Sequence, residues 1–342
     1  MRTAALALLA FLPAWAQQTP VFHATSQLAT VRFHVVRNRQ YVTSLKPSDV
    51  VLLEDGAPRS FTLFENAAAA PRTLPVETTL LFDTSGSVLH EGLLDPLVFK
   101  QALIDGLPGV SLAVYGFTDR LVRFTPPTRD YEALRGAFAS LPAHHAGDII
   151  KLALPPKRGA DPRGATWLYE AVAAAARDAA SGPMEATRLM LVFSDGFPST
   201  DTRPDDIAVP LRDTGVAIYP VVLGHWQLAE QINAEQERLT ERSHRDEMPS
   251  SKRLDSLNEK AHQIAEFKQL ADLTGGQSFD PREITLDVLK QVLAFMAGQV
   301  RSEYVIGFAP EVSATPRRHK LEVRLREKDT GRLLGGTRTL VH

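Results

Sequence analysis

Residues 80–90 read LLFDTSGSVLH: an apolar run stops at an acid, Asp83, and hydroxyls follow at alternate positions, Ser85 and Ser87. A carboxylate and two hydroxyls in a glycine-containing turn are hard oxygen donors. They suit Mg²⁺, Mn²⁺ or Ca²⁺ and suit zinc or copper poorly. Three donors do not close a coordination sphere, but RLMLVFSDG repeats the design, an apolar run ending at Ser194 and Asp195 before Gly196. RGATWLYEAV adds Thr166 just ahead of a helical stretch, after a glycine that lets a backbone come close. Thr166 also reads as a helix N-cap, and the two roles can coexist at a helix start.

The elements that must carry these residues follow from the pattern. Between about 76 and 300, apolar runs at 78–82, 110–117, 188–193 and 216–223 alternate with helical stretches such as LVFKQALIDGL and TWLYEAVAAAARDAA. Strands this apolar are buried on both faces, so the expected fold class is α/β: a doubly wound, mostly parallel sheet flanked by helices. Such sheets bind ligands where loops converge at the carboxyl ends of strands, which is where Asp83 and Asp195 stand. Residues 225–265 form a polar insertion, read as two amphipathic helices broken at Met248-Pro249-Ser250-Ser251.

Both ends of the chain read as strands. Residues 20–66 alternate apolar and polar, with Asp55-Gly56 as a hairpin signal, and NAAAAPRTLP follows as a linker. Residues 301–342 return to strands, punctuated by Gly331 and Gly335-Gly336. Each end is too small for a good sandwich alone, so 20–66 and 301–342 are expected to pack together as one β-sandwich. The run Arg317-Arg318-His319-Lys320 is read as a solvated hairpin tip.

Composition narrows the function. The 342 residues carry a formal net charge of -2, and no basic cluster with interleaved aromatics appears, which argues against a nucleic-acid binder. Met1-Arg2, the apolar stretch Ala4–Leu12, Pro13 and Ala14-Trp15-Ala16 have the order of a signal peptide over 1–16, cleaved after Ala16. No later segment reaches the length of a membrane span. The chain has no cysteine, which removes disulfides, thiolate metal sites and a cysteine nucleophile. A periplasmic or secreted location is expected. No serine sits in G-x-S-x-G and no P-loop occurs. His144-His145 and His225 read as loop residues, and Trp167 as helix packing or as a lining of a ligand surface.

Asp83, Ser85, Ser87, Thr166 and Asp195 together resemble the metal-ion-dependent adhesion site of the von Willebrand factor A, or integrin I-type, domain: Asp-x-Ser-x-Ser, then Thr, then Asp before Gly. The resemblance covers about 76–300. The flanks SDVVLLEDGAPRSFTLFE and RSEYVIGFAP, and the segment LADLTGGQSF, resemble a bacterial group of exported proteins related to that family. The sequence departs from a minimal domain in the 225–265 insertion and in the long loop HHAGDIIKLALPPKRGADPRGAT before Thr166.

The resemblance implies a divalent cation, Mg²⁺ with Mn²⁺ or Ca²⁺ as alternatives. Ser85 and Ser87 would bind it directly, and Thr166, Asp83 and Asp195 directly or through water. It further implies an open position filled by a Glu or Asp carboxylate of a protein partner, and a last helix, 284–300, that shifts on binding. The expected function is a metal-dependent protein-binding module of adhesion type and not an enzyme. A scaffold with a stabilising metal is the first alternative. A Mg²⁺-dependent phosphohydrolase with Asp83 as nucleophile is the second, although Ser85 stands where that chemistry needs another Asp. The oligomeric state stays open.

Overall fold

The computed structural model describes residues 29–38, 40–66, 68, 76–90, 93, 110–141, 147–152, 165–182, 186–243, 252–310 and 317–341. The signal-type segment 1–16, the helical stretch beginning at Leu97, most of the linker and His144-His145 lie outside the described residues.

The amino-terminal region forms β1 (Ala29–Arg37), β2 (Gln40–Tyr41), β3 (Val50–Glu54), β4 (Ala57–Arg59) and β5 (Leu63–Asn66). The middle of the chain begins with β6 (Val76–Asp83), α1 (Gly86–His90), β7 (Ser111–Phe117), β8 (Leu121–Thr128), α2 (Tyr131–Ser140) and β9 (Asp148–Ile150). It continues through α3 (Leu168–Ala180), β10 (Thr187–Ser194), α4 (Pro204–Thr214), β11 (Ala217–Val222), α5 (His225–Ser243), α6 (Lys252–Thr274) and α7 (Leu286–Arg301). The carboxyl-terminal region forms β12 (Tyr304–Phe308), β13 (Arg318–Leu325), β14 (Arg332–Gly335) and β15 (Thr337–Val341).

The middle region builds a six-stranded sheet in the order β11-β10-β6-β7-β8-β9. Strands β11, β10, β6 and β7 are parallel, whereas β8 and β9 join antiparallel. Period-two alternation sends Leu81, Met190 and Val192 to one face, packed with α3, α4 and α6, and Leu80, Phe82, Leu191 and Phe193 to the other, packed with α2 and α7. Helices thus cover both faces, as expected for a doubly wound sheet. The alanines from Ala171 to Ala176 in α3 are all buried; side chains this small let the helix lie close to its sheet. Among the described residues, no helix is long and apolar enough to cross a membrane.

The two ends of the chain share both remaining sheets. In one, β1 lies between β12 and β14, with β5 beside β12; in the other, β13 lies between β15 and β3, with β4 beyond. Inward residues of both sheets, among them Val31, Phe33, Leu52, Ile306, Leu321 and Val323, form one apolar core, which makes the pair a sandwich. Asp55 and Gly56, at φ 50° and 84°, close the β3–β4 hairpin. Gly335 and Gly336, both at positive φ, carry the chain from β14 in one sheet to β15 in the other.

Three expectations are corrected. The basic run at 317–320 is no hairpin tip: Arg318 opens β13, and alternation turns His319 inward, where its ring lies 2.9 Å from an Asp55 carboxylate oxygen. Part of the long loop before Thr166 is β9, an edge strand held by β8. The N-cap of α3 is Trp167, whose side chain makes no capping bond, so the capping role read for Thr166 is absent. The polar segment from 225 does carry two helices, α5 and α6, the second running on to Thr274, and the expected break between them lies outside the described residues.

Tyr304 holds the sandwich to the segment after β2. Its ring stacks on Phe33 at 5.2 Å, and its buried hydroxyl accepts from Leu45 N and donates to Val42 O, both at 3.0 Å. Tyr304→Phe keeps the stacking and strands a buried N–H. It is expected to cost about 1–3 kcal/mol, read as a lower urea midpoint with an unchanged slope.

Candidate functional site

Strands β6 and β10 are parallel neighbours whose register sets Phe82 against Phe193, so both end at the same level with Asp83 beside Ser194. That register brings together residues 111 positions apart: Ser194 Oγ donates to Asp83 Oδ2 at 2.6 Å. The turn after β6 supplies the second partner, Ser85 N donating to Asp83 Oδ1 at 2.9 Å. Ser87, in the first turn of α1, donates through Oγ to Asp195 Oδ2 at 2.6 Å, and its Oγ lies 3.1 Å from Ser85 Oγ. Four of the five expected residues, Asp83, Ser85, Ser87 and Asp195, therefore belong to one hydrogen-bonded net. Asp83 and Asp195 are buried, whereas Ser87 is exposed, so the net opens to solvent on the serine side.

Thr166 is buried on the adjoining loop, and its hydroxyl makes no hydrogen bond to the other four among the described residues. Its backbone is clamped: Thr166 N donates to Ser199 Oγ and Ser199 N donates to Thr166 O, each at 2.9 Å. The next residue, Trp167, donates its N–H to Thr118 O just beyond β7 at 2.9 Å. Thr84 donates through both N and Oγ1 to Phe117 O at 3.0 Å, so the loops after β6, β7 and β10 and before α3 are tied into one rim. Glu170, fully buried in the first turn of α3, accepts from Thr200 and Thr202 and fixes the loop after Asp195.

Ser194 and Ser199 act as positioning residues for Asp83 and Thr166; the sequence marked Ser194 only as the end of its strand and gave no role to Ser199, whose partner is 33 positions away. Helix α6 also reaches the site: a Cβ on Gly196 would meet its Phe267 Cδ1 at 3.3 Å and its Ile264 backbone at 3.5 Å. Gly196 sits at φ 81°, so the turn after Asp195 needs glycine both for its conformation and for the helix against it.

Burial, and then the Asp195 charge, push the Asp83 carboxyl up from 3.8 to about 7, against the opposing hydrogen bonds of Ser194 and Ser85. Two carboxylates at adjacent strand ends with hydroxyls between them fit a divalent cation of the hard class, which would favour both ionised forms. Among the described residues, no group of three or more His, Cys, Asp or Glu side chains forms a metal cluster. The donor set is hydroxyl-rich, and such a set suits Mg²⁺ better than a metal that prefers imidazole.

A folded-state carboxyl raised in this way stabilises the protein fully below about pH 3.8 and loses that contribution as pH rises through about 7. In EDTA, wild type should therefore lose stability between pH 5 and 8 relative to Asp83→Asn, by on the order of a few kcal/mol. Denaturant titrations at the two pH values check this; parallel pH dependence in both proteins would contradict the assigned environment.

No family model matches the sequence, and no curated protein matches it. Solved structures do. One is a von Willebrand factor type A protein from Catenulispora acidiphila, 14% identical, covering 94% of this chain and 75% of that one, TM-score 0.40. Another is an aerotolerance-related membrane protein from Bacteroides fragilis, 15% identical, covering 64% and 97%, TM-score 0.40. A third is proximal thread matrix protein 1 from the mussel byssus with a zinc-occupied MIDAS motif, 14% identical, covering 72% and 49%, TM-score 0.37. The chain spans about half the length of the mussel protein. In its doubly wound sheet, the chain is similar to von Willebrand factor A domain proteins.

Proposed function

We propose that the chain is an exported, metal-dependent protein-binding module of von Willebrand factor A type. The observation that carries this reading is the single net joining Asp83, Ser85, Ser87 and Asp195 across the ends of β6 and β10. Ser85 and Ser87 would offer their hydroxyls to the cation, and Thr166 and the two aspartates would complete the oxygen set. When bound, Mg²⁺, Mn²⁺ or Ca²⁺ would supply a Lewis-acidic position for a Glu or Asp carboxylate of a protein partner. The chain's own part is to hold these donors at one level, shield the two acids behind the strand ends, and leave Ser87 facing solvent.

The phosphohydrolase alternative loses support from the same geometry. Asp83 is fully buried and held by hydrogen bonds from Ser194 and Ser85 to its two carboxylate oxygens, so it is set back from the surface that an incoming phosphorus would have to reach. A scaffold with a stabilising metal uses the same donors but needs no partner at the open position. Export rests on the segment 1–16.

The experiment is a pull-down from exported proteins with the mature chain as bait, in Mg²⁺ and in EDTA, with wild type and Ser87→Ala. Ser87 is exposed, so its loss should leave the fold intact. Partner capture is expected in Mg²⁺ with wild type and should fall at least tenfold in EDTA or with Ser87→Ala. Capture indifferent to both would contradict the adhesion reading. Mg²⁺-dependent stabilisation without any metal-dependent partner would support the scaffold.

A further inference from the structure

A cavity of about 280 Å³ lies at the amino ends of β10 and β11, between the central sheet and the sandwich. Strand β10 runs from Thr187 at this cavity to Ser194 beside Asp83, roughly 23 Å at ~3.3 Å per residue, so the cavity is remote from the site described above. Its walls carry Arg32, Arg188, Arg212, Lys320 and Arg338, against which stand Asp272 and Glu303. Two further acids act from just outside the lining, Glu77 on Arg188 and Asp213 on Arg338.

The basic groups are not equally matched. Arg32 Nη1 donates to Thr187 Oγ1 at 2.7 Å and to Glu303 Oε2 at 3.2 Å, and Arg188 Nε lies 3.7 Å from Glu77 Oε2. Arg338 has no such acid: among the described residues its Nη1 donates to Thr30 O at 2.8 Å, while its Nε is enclosed and donates to nothing. Arg32 and Arg188 both repel it, Asp213 only partly offsets them, and burial opposes its charge. An arginine cannot shed its proton to relieve this, because its intrinsic pKa is too high. What relieves an enclosed guanidinium among other guanidinia is an acceptor of opposite charge that can take several N–H bonds at once, and an oxyanion has that form.

We propose that this cavity is a binding site for a small oxyanion of the phosphate class, held by Arg338 with Arg32 and Arg188 between the sandwich and the α/β sheet. The ligand would touch β1 and β15 of the sandwich on one side and β10 on the other, so occupancy would tie the two together.

The test is isothermal titration of the mature chain with inorganic phosphate in EDTA, against sodium chloride at matched ionic strength. EDTA removes the proposed cation, so the outcome is independent of the metal site. Wild type and Asp83→Asn should bind one phosphate saturably with equal affinity. Arg338→Lys, which keeps the charge but not the planar fork, should bind at least tenfold more weakly, and Arg338→Leu should not bind. Phosphate should raise Tm in wild type and leave Arg338→Leu unchanged. Absence of saturable phosphate binding by wild type, or equal affinity in folded Arg338→Lys, would overturn the proposal.

Discussion

The site depends on the pairing of β6 with β10. Two parallel neighbours in register end at one level, and their last residues, Asp83 and Ser194-Asp195, then face each other although they are far apart in sequence. The apolar stack beneath them, with Phe82 and Phe193 ring centroids at 4.9 Å and the rings nearly parallel, secures that register from below. A slip of one residue would turn those rings to the opposite faces and separate the acids. The packed core and the chemistry of the site are therefore consequences of the same alignment.

Holding two carboxylates this close and this dry is unfavourable in the absence of a counter-charge. The fold accepts it with local means: Ser194 and Ser85 satisfy both Asp83 oxygens, and Ser87 and Phe197 N satisfy Asp195. Those bonds lower the cost without removing it, as the upward push on the Asp83 carboxyl records. The surrounding rim, from Thr84 to Ser199, is built of backbone clamps that keep the donors placed. Preorganisation of this kind is what a site for a strongly hydrated cation needs, because the donors must replace water without rearranging.

Much of this was legible in the residues. The apolar runs named β6, β7, β10 and β11, since strands buried on both faces leave little room for polar side chains. Asp55-Gly56 marked its hairpin because both residues tolerate positive φ. Residue type and order alone picked out Asp83, Ser85, Ser87 and Asp195, which the hydrogen-bonded net brings together, and Thr166, whose hydroxyl stands outside that net among the described residues. What stayed hidden has physical reasons. Strand β8 mixes arginine and two prolines into its run, and β9 is a three-residue edge strand whose partner gives it its only definition. His319 looked like part of a solvated charged run because the partner of its buried ring, Asp55, is 264 positions away. Ser199 and the arginines of the interdomain cavity likewise acquire meaning only from contacts that sequence distance conceals. The same holds for the sandwich, in which β1 has the two-residue β2 as its one local partner and otherwise pairs with β12 and β14, from the far end of the chain.

The central claim is that these oxygens hold a divalent cation. Titration of the metal-free chain with Mn²⁺, followed by the electron paramagnetic resonance signal of the free ion, tests it most directly. One bound Mn²⁺ per chain, displaced by Mg²⁺, is expected, and none in the double variant Ser85→Ala with Ser87→Ala. An equal stoichiometry and affinity in the folded double variant would contradict it.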